Sequence, residues 1–152
     1  MSPPLLPADD LEPARNALLD VILPPSADGR MPGAGDLGLA GYLAERAPDL
    51  LPAVDQALTR LDELAAARGA GGFLEATRSL RASLVHELDA EQPGLLPGLV
   101  FHVDSGYYQH PRVLEGLGLE PRPPFPKGYE LEPGDLGGLE RVRQRGPIYR
   151  IP

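Results

Sequence analysis

Proline and glycine divide this sequence into stretches that can form helices and stretches that cannot. The 152 residues include 19 prolines and 18 glycines, a proportion close to that at which irregular structure is expected. These residues are concentrated before Asp10, in residues 24–41 and after Pro121. The pattern predicts ordered helices that are separated, and followed, by long coil.

Between these breaks, apolar residues recur at intervals of three and four, the spacing of one face of an α-helix. No stretch of strand length alternates convincingly between apolar and polar residues. We therefore predict an all-α fold, a small irregular helical bundle with an extended Pro/Gly-rich C-terminal arm. The predicted inward-facing residues are Ala14, Ala17, Leu18, Val21 and Ile22; Leu39, Tyr42 and Leu43; Leu51, Val54, Leu58, Leu61 and Ala65; Phe73, Ala76, Leu80, Leu84 and Leu88; and Leu96, Leu99, Val100, Val103 and Tyr107.

Aspartates beside these segments predict where several helices begin. Asp9 or Asp10 is expected to cap the first helix, and Asp36 the second, because short polar side chains accept hydrogen bonds from free N–H groups at a helix start. A short helix over residues 135–145, capped by Asp135, is expected near the C-terminus.

The length fits a single domain over residues 1–152, since a chain of this size can bury roughly two-thirds of its unfolded surface. We divide it into a helical core at 1–120 and an extended tail at 121–152. The tail has few apolar residues with which to form its own core, so we predict that it binds a partner protein. Those residues are Phe125, Tyr129, Leu131, Leu136, Leu139, Val142, Ile148 and Tyr149.

The net charge of −8 makes nucleic acid and anionic membrane surfaces poor candidate partners. The charge is uneven, because residues 1–111 carry a net charge of −9 and residues 112–152 one of +1. Two interpretations of the closing arginines stay open: contact with an acidic surface of another protein, or shielding of the carbonyl groups at a helix end. These arginines are Arg141, Arg143, Arg145 and Arg150.

Cysteine is absent, which excludes disulfides, thiol catalysis, iron–sulfur ligation and covalently attached haem. The first ten residues lack the basic region and the apolar stretch of a signal peptide. No run of apolar residues is long enough to span a membrane. The sequence therefore predicts a cytoplasmic protein without membrane insertion, and export together with a partner stays open.

The sequence contains no pattern of residues that is typical of a catalytic or metal-binding site. His102, Asp104 and His110 are the sharpest candidates for a metal site, but positions 102 and 104 lie about 200° apart on a helix and cannot converge on one ion. Ser105 lacks the preceding glycine of a nucleophile elbow, and the glycine-rich loops do not follow strands. We predict no catalytic, cofactor-binding or metal-binding residue in this chain.

Aromatic residues point instead to an interface. Five of the eight lie near the C-terminus, and tyrosine is enriched at the buried centres of protein interfaces. Because Leu99 and Val103 continue an inward face to Tyr107, we expect Tyr107 to anchor the core and Tyr108 to point outward. The predicted partner-binding residues are Tyr107, Tyr108, His110, Phe125, Tyr129, Arg141, Arg145 and Tyr149.

Four segments resemble one known family. GYYQHP at residues 106–111, VLEGLGLE at 113–120 and PPFPKGY at 123–129 resemble the C-terminal signature of the gluconate 2-dehydrogenase subunit 3 family. ALLDVILPPSADGRMPGAGDLGLAGYL at 17–43 resembles its opening helix, its Pro-rich loop and the start of its second helix. Members of this family accompany flavin-dependent sugar dehydrogenases of the glucose-methanol-choline oxidoreductase class. Many carry a twin-arginine export signal, from which this sequence departs.

The resemblance implies a noncatalytic small subunit of a heteromeric complex. The large subunit would hold FAD and oxidise a sugar or polyol, as a dehydrogenase or an oxidase, while this chain binds and stabilises it. The alternative is an independent helical scaffold or interaction protein that self-associates through the same tail. A third interpretation, less favoured, is a small metal- or histidine-dependent enzyme.

Overall fold

The computed structural model describes residues 6–123, 125–128, 130–146 and 148. It confirms the predicted all-α fold: 62% of the described residues are helical, and no strand occurs among them. Short 3-10 turns precede three of the helices. The helices are α1 (Ala8–Ile22), α2 (Leu39–Arg46), α3 (Leu51–Ala67), α4 (Arg78–Glu91), α5 (Leu95–Tyr107), α6 (Pro111–Gly116) and α7 (Glu140–Gln144).

The chain divides into two compact units. The first unit is Met1–Arg122 and contains α1 to α6; the second unit is Pro123–Pro152 and contains α7. The division falls two residues after the boundary at 120/121 that was drawn from the sequence.

The core of the first unit lies among α1 to α5, and Val113 of α6 and Phe73 of the loop before α4 are buried in it. Helix α3 packs against both α1 and α4, and α2 packs against both α1 and α5. Full burial of a leucine or phenylalanine side chain contributes about 1.5–3 kcal/mol, so the inward faces dominate the stability of this unit. The largest fully buried side chains are Phe73, Leu18, Leu19, Leu43, Leu58, Leu61, Leu84, Leu88, Leu99, Val103 and Val113.

Two arginines join α3 to its neighbouring helices through paired hydrogen bonds to carboxylates. Arg15 of α1 donates hydrogen bonds to both carboxylate oxygens of Asp55 in α3, at 2.8 and 2.7 Å. Arg60 of α3 reaches both oxygens of Glu91 in α4, at 3.0 Å each, and this guanidinium lowers the pKa of the Glu91 carboxyl. Paired N–H···O bonds fix orientation as well as distance, so these contacts set how α1 and α4 lie on α3.

The predicted caps of α1 and α2 are wrong. The residue before α1 is Pro7, and Asp9 and Asp10 lie inside the first turn, where they interact favourably with the positive end of the helix dipole. Asp36 belongs to a 3-10 turn, and α2 follows Gly38, whose φ of 66° is readily adopted only by glycine. In both places backbone geometry, rather than a side-chain cap, starts the helix.

Helix α4 begins later than its apolar spacing predicts. Phe73 and Ala76 are buried, but they lie in the loop before Thr77, whose side chain caps α4 by accepting a hydrogen bond from Leu80 N. The loop is fixed because Phe73 N donates to Asp62 at 2.8 Å. Phe73 and Ala76 therefore continue the apolar spacing of α4 because they are buried, although their segment is not helical.

The second unit has no buried residue among those that the structure describes. Every residue from 130 to 146 is exposed. The predicted start of a helix at Asp135 is wrong: Asp135 accepts a hydrogen bond from Gly137 N at 2.8 Å, but a 3-10 turn begins only at Gly137 and α-helix only at Glu140, and neither has a side-chain cap. The exposed apolar residues of this unit are Phe125, Leu131, Leu136, Leu139, Val142 and Ile148.

None of the helices in the described part of the chain combines the length and the apolar character that crossing a membrane requires.

Candidate partner-binding surface

Helix α5 is apolar on two opposite sides. No Asp, Glu, Lys or Arg occurs in its first nine residues. Leu99 and Val103 are fully buried against the core, whereas Phe101 is 67% exposed and Tyr108, the residue at the end of the helix, is 53% exposed. At 100° per residue, positions 101 and 108 lie about 20° apart and on the side opposite Leu99. They form part of one outward face.

The segment GYYQHP at residues 106–111 joins α5 to α6, and its first two residues are structural. A Cβ atom on Gly106 would lie 2.8 Å from Cδ1 of Tyr42, so glycine lets α2 approach α5 closely. Tyr107 is 4% exposed, and its hydroxyl donates a 2.8 Å hydrogen bond to the carbonyl oxygen of Pro32. Burial raises the pKa of Tyr107, which keeps this hydroxyl protonated and able to donate.

The last two residues of the same segment begin α6. His110 is its N-cap, and Nδ1 accepts a hydrogen bond from Arg112 N at 3.3 Å. Pro111 occupies the first position of the helix, where a missing N–H costs little. His110 is therefore held at a helix terminus, as its position before Pro111 suggests, and is only partly exposed.

Tyr108 is the residue of this segment that intramolecular packing does not explain. Its ring stands edge-on against Tyr107, with centroids 5.2 Å apart and planes at 83°. Tyr107 is fixed by the core, so the exposed ring of Tyr108 is supported from beneath. The expectation that Tyr107 points inward and Tyr108 outward is confirmed.

The Pro-rich loop of residues 24–35 lies against α5 and α6. Besides the bond from Tyr107 to Pro32, Arg30 donates to the carbonyl of Gly116 at 3.1 Å. A Cβ on Gly116 would lie 2.8 Å from Sδ of Met31. Two segments quoted for the family resemblance, 17–43 and 106–120, are thus in direct contact although they are far apart in the sequence.

The end of that loop is fixed to α1 by the carboxylate of Asp20. Asp20 accepts a hydrogen bond from Gly35 N at 2.8 Å, and a Cβ on Gly35 would lie 2.4 Å from the carbonyl oxygen of Asn16. Burial raises the pKa of Asp20, with a smaller contribution from nearby Asp36 that acts in the same direction. The absence of a side chain at Gly35 therefore lets the loop approach α1 closely.

The other predicted partner-binding residues belong to the second unit. Phe125 is 83% exposed. Arg141 and Arg145 are exposed, at and just beyond α7. Tyr129 and Tyr149 lie outside the described residues. The structure thus brings together Tyr107, Tyr108 and His110 at the end of α5.

Sequence reasoning missed Phe101, the most exposed large apolar residue of the first unit. The signal was its position seven residues before Tyr108, which places both rings on one side of a helix. His102, beside it, lines a shallow groove of about 400 Å³ together with Gly98 and residues 46–50. This groove borders the outward face of α5.

Within the ranges that the structure describes, no three His, Asp or Glu side chains are grouped as metal ligands would be. Comparisons of the chain with protein-family models, with curated proteins and with solved structures find no match. What the chain does is therefore inferred from its own residues.

Proposed function

We propose that this chain is a noncatalytic small subunit that binds and stabilises an FAD-dependent sugar or polyol dehydrogenase or oxidase, as its resemblance to gluconate 2-dehydrogenase subunit 3 implies. The observation that carries the proposal is the contact between the resembling segments. Tyr107 and Pro32 are 75 residues apart, and Arg30 and Gly116 are 86 apart, yet each pair is joined by a hydrogen bond. The segments that resemble the family are thus held together in the folded chain.

The second unit supports the same proposal. Phe125, Leu131 and Ile148 are each more than four-fifths exposed. Large apolar side chains that are left in water favour burial against another molecule, at about 25 cal/mol for each Å² covered. A partner that covers them only when it is folded is itself stabilised by mass action.

The residues proposed to bind the partner differ in how they act. Tyr108, Phe125, Arg141 and Arg145 are exposed and would touch it directly. Tyr107 is buried, so it would support Tyr108 rather than contribute surface. FAD would belong to the partner, and this chain would position no reacting group.

The test is co-production of the tagged full chain with a glucose-methanol-choline flavoprotein encoded beside it. We expect a heteromer that carries stoichiometric flavin absorbance and sugar-dependent activity, while the chain alone carries neither. A colourless homo-oligomer, with no flavoprotein bound, would favour the scaffold alternative, which the same exposed apolar residues allow.

A further inference from the structure

Four residues of α5 and its C-cap form what we call the outer stripe: Pro97, Phe101, Asp104 and Tyr108. Their intervals of four, three and four residues are those of a seam between two packed helices. The stripe runs for about 16 Å along the helix. The opposite side of α5 has a seam of similar spacing, and that seam is buried in the core.

A helix that is apolar on all sides is normally buried on all sides. Here only one side is covered, since Pro97, Phe101 and Tyr108 are exposed. Asp104 is the single charged residue of the stripe and is half-buried. Its carboxylate has no ion pair within the part of the chain that the structure describes. The stripe therefore lacks both an apolar cover and a cation.

The α5 helix of a second copy does not supply the missing cation, since α5 contains no lysine or arginine. Parallel packing of two α5 helices places Asp104 directly opposite its own copy. In antiparallel packing that places Phe101 opposite Tyr108 of the second copy, the two-fold axis passes between residues 104 and 105. The two Asp104 carboxylates then again lie close together. Like charges at a desolvated contact are unfavourable, and the first unit already carries a net charge of −9.

The exposed area of the stripe is smaller than that of a whole interface. The rings of Phe101 and Tyr108 are 67% and 53% exposed and together offer roughly 200–300 Å². A stable interface buries about 800 Å² on each side. The stripe is thus too small to hold a partner by itself, and it fits the centre of a larger interface.

We propose that the outer stripe receives one helix of the flavoprotein partner, with apolar side chains against Phe101 and Tyr108 and a lysine or arginine against Asp104. This inference rests on the proposed function and adds the element and the charge by which the partner is recognised. Unlike a second copy, such a helix covers the rings and neutralises the carboxylate. The second unit would make its own, separate contacts with the same partner.

The test compares variants of the full chain in complex with the co-produced flavoprotein. Phe101→Ala should raise the dissociation constant by about tenfold or more, as truncation of an interface aromatic does. Asp104→Lys should weaken the complex at least as much, because two cations would then face each other. Lysine suits the C-terminal turn of a helix, so the same variant should melt no lower than the wild type when isolated. Reduced binding therefore cannot be attributed to unfolding.

Leu117→Ala and Glu115→Gln are the matched controls, since both residues are exposed on or just after α6 and lie outside the stripe. We expect both to bind as the wild type does. If Phe101→Ala and Asp104→Lys also bind as the wild type does, the inference is wrong while the proposed function stands. If the wild type retains no flavoprotein, both fail. A homodimer of the isolated chain that Phe101→Ala dissociates would likewise overturn the inference.

Discussion

The hydroxyl of Tyr107 donates a 2.8 Å hydrogen bond to the carbonyl oxygen of Pro32, and this bond ties the end of α5 to the loop that follows α1. Tyr107 is buried and Tyr108 packs edge-on against it. The bond therefore fixes both the loop and the ring that supports the exposed tyrosine.

Tyr107→Phe should lower the free energy of unfolding by about 1–2 kcal/mol, because it removes one hydrogen bond and leaves the carbonyl of Pro32 without this donor. Tyr108→Phe is the matched control, since Tyr108 is 53% exposed. Urea unfolding of the two variants measures the difference. Equal stability of the two would contradict the structural role given to Tyr107.

Two glycines of α5 should respond oppositely to alanine. At Gly98 a Cβ meets no atom within 4 Å, so Gly98→Ala should stabilise the chain by about 0.5–1 kcal/mol through helix propensity alone. At Gly106 the new Cβ would lie 2.8 Å from Tyr42, and overpacking typically costs about 1–3 kcal/mol. Thermal melts should therefore place the midpoint of Gly98→Ala above that of the wild type and the midpoint of Gly106→Ala below it. The reverse order would mean that α2 and α5 are not in close contact.

The carboxyl of Asp20 should make stability depend on pH. Burial raises its pKa above the ordinary value of 3.8, so between that value and the raised one the folded chain binds more protons than the unfolded chain. The contribution of Asp20 to stability is then largest at low pH and falls as the pH rises through that interval.

Asp20→Asn keeps an oxygen for Gly35 N and removes the charge. We expect the variant to be at least as stable as the wild type at pH 7, with the difference disappearing below the ordinary aspartate pKa. Denaturation measured from pH 3 to pH 7 tests this. A variant that is destabilised most at pH 7 would show that the charged form is favoured.

Truncation after Arg122 should separate folding from binding. The buried core belongs to residues 14–113, so the shortened chain should remain a helical monomer with cooperative unfolding. It should no longer co-purify with the flavoprotein, because the stripe of α5 is too small to hold a partner alone. Retained binding would place the whole interface on the first unit and leave the second unit without the role proposed for it.

The chain should melt at a higher temperature in the complex than alone. Binding stabilises by an amount that grows with partner concentration, about 2.7 kcal/mol at a hundred times the dissociation constant. Calorimetry with and without the flavoprotein measures the shift, and flavin absorbance of the isolated chain should be absent. Identical midpoints would favour the scaffold alternative.

The helices themselves could be predicted from sequence because burial follows the helical period. Leu99, Val103 and Tyr107 lie on one predicted face and are buried together. The same rule failed before Thr77, since Phe73 is buried from a loop and mimics a helical position. The spacing of apolar residues indicates which residues are buried, whereas local hydrogen bonds determine where a helix begins.

The surface was less predictable than the core. The exposure of Tyr108 could be predicted because this residue follows an inward face that ends at Tyr107. Phe101 was overlooked because exposed apolar residues follow no regular spacing that can be recognised before the helix is known. The bond from Arg30 to Gly116 spans 86 residues, and no local pattern specifies such a pairing. Tertiary contacts alone reveal that the Pro-rich loop supports the candidate surface.

Exposure of residues 130–146 would make the lifetime of this chain depend on whether the proposed partner is bound. Proteases bind exposed segments that can be drawn into an extended form, and residues 130–146 are exposed throughout. If the proposed partner covers this segment, an unassembled chain is degraded first and an assembled one is spared. The cell would then hold the two subunits in balance by turnover, without having to synthesise them in equal amounts.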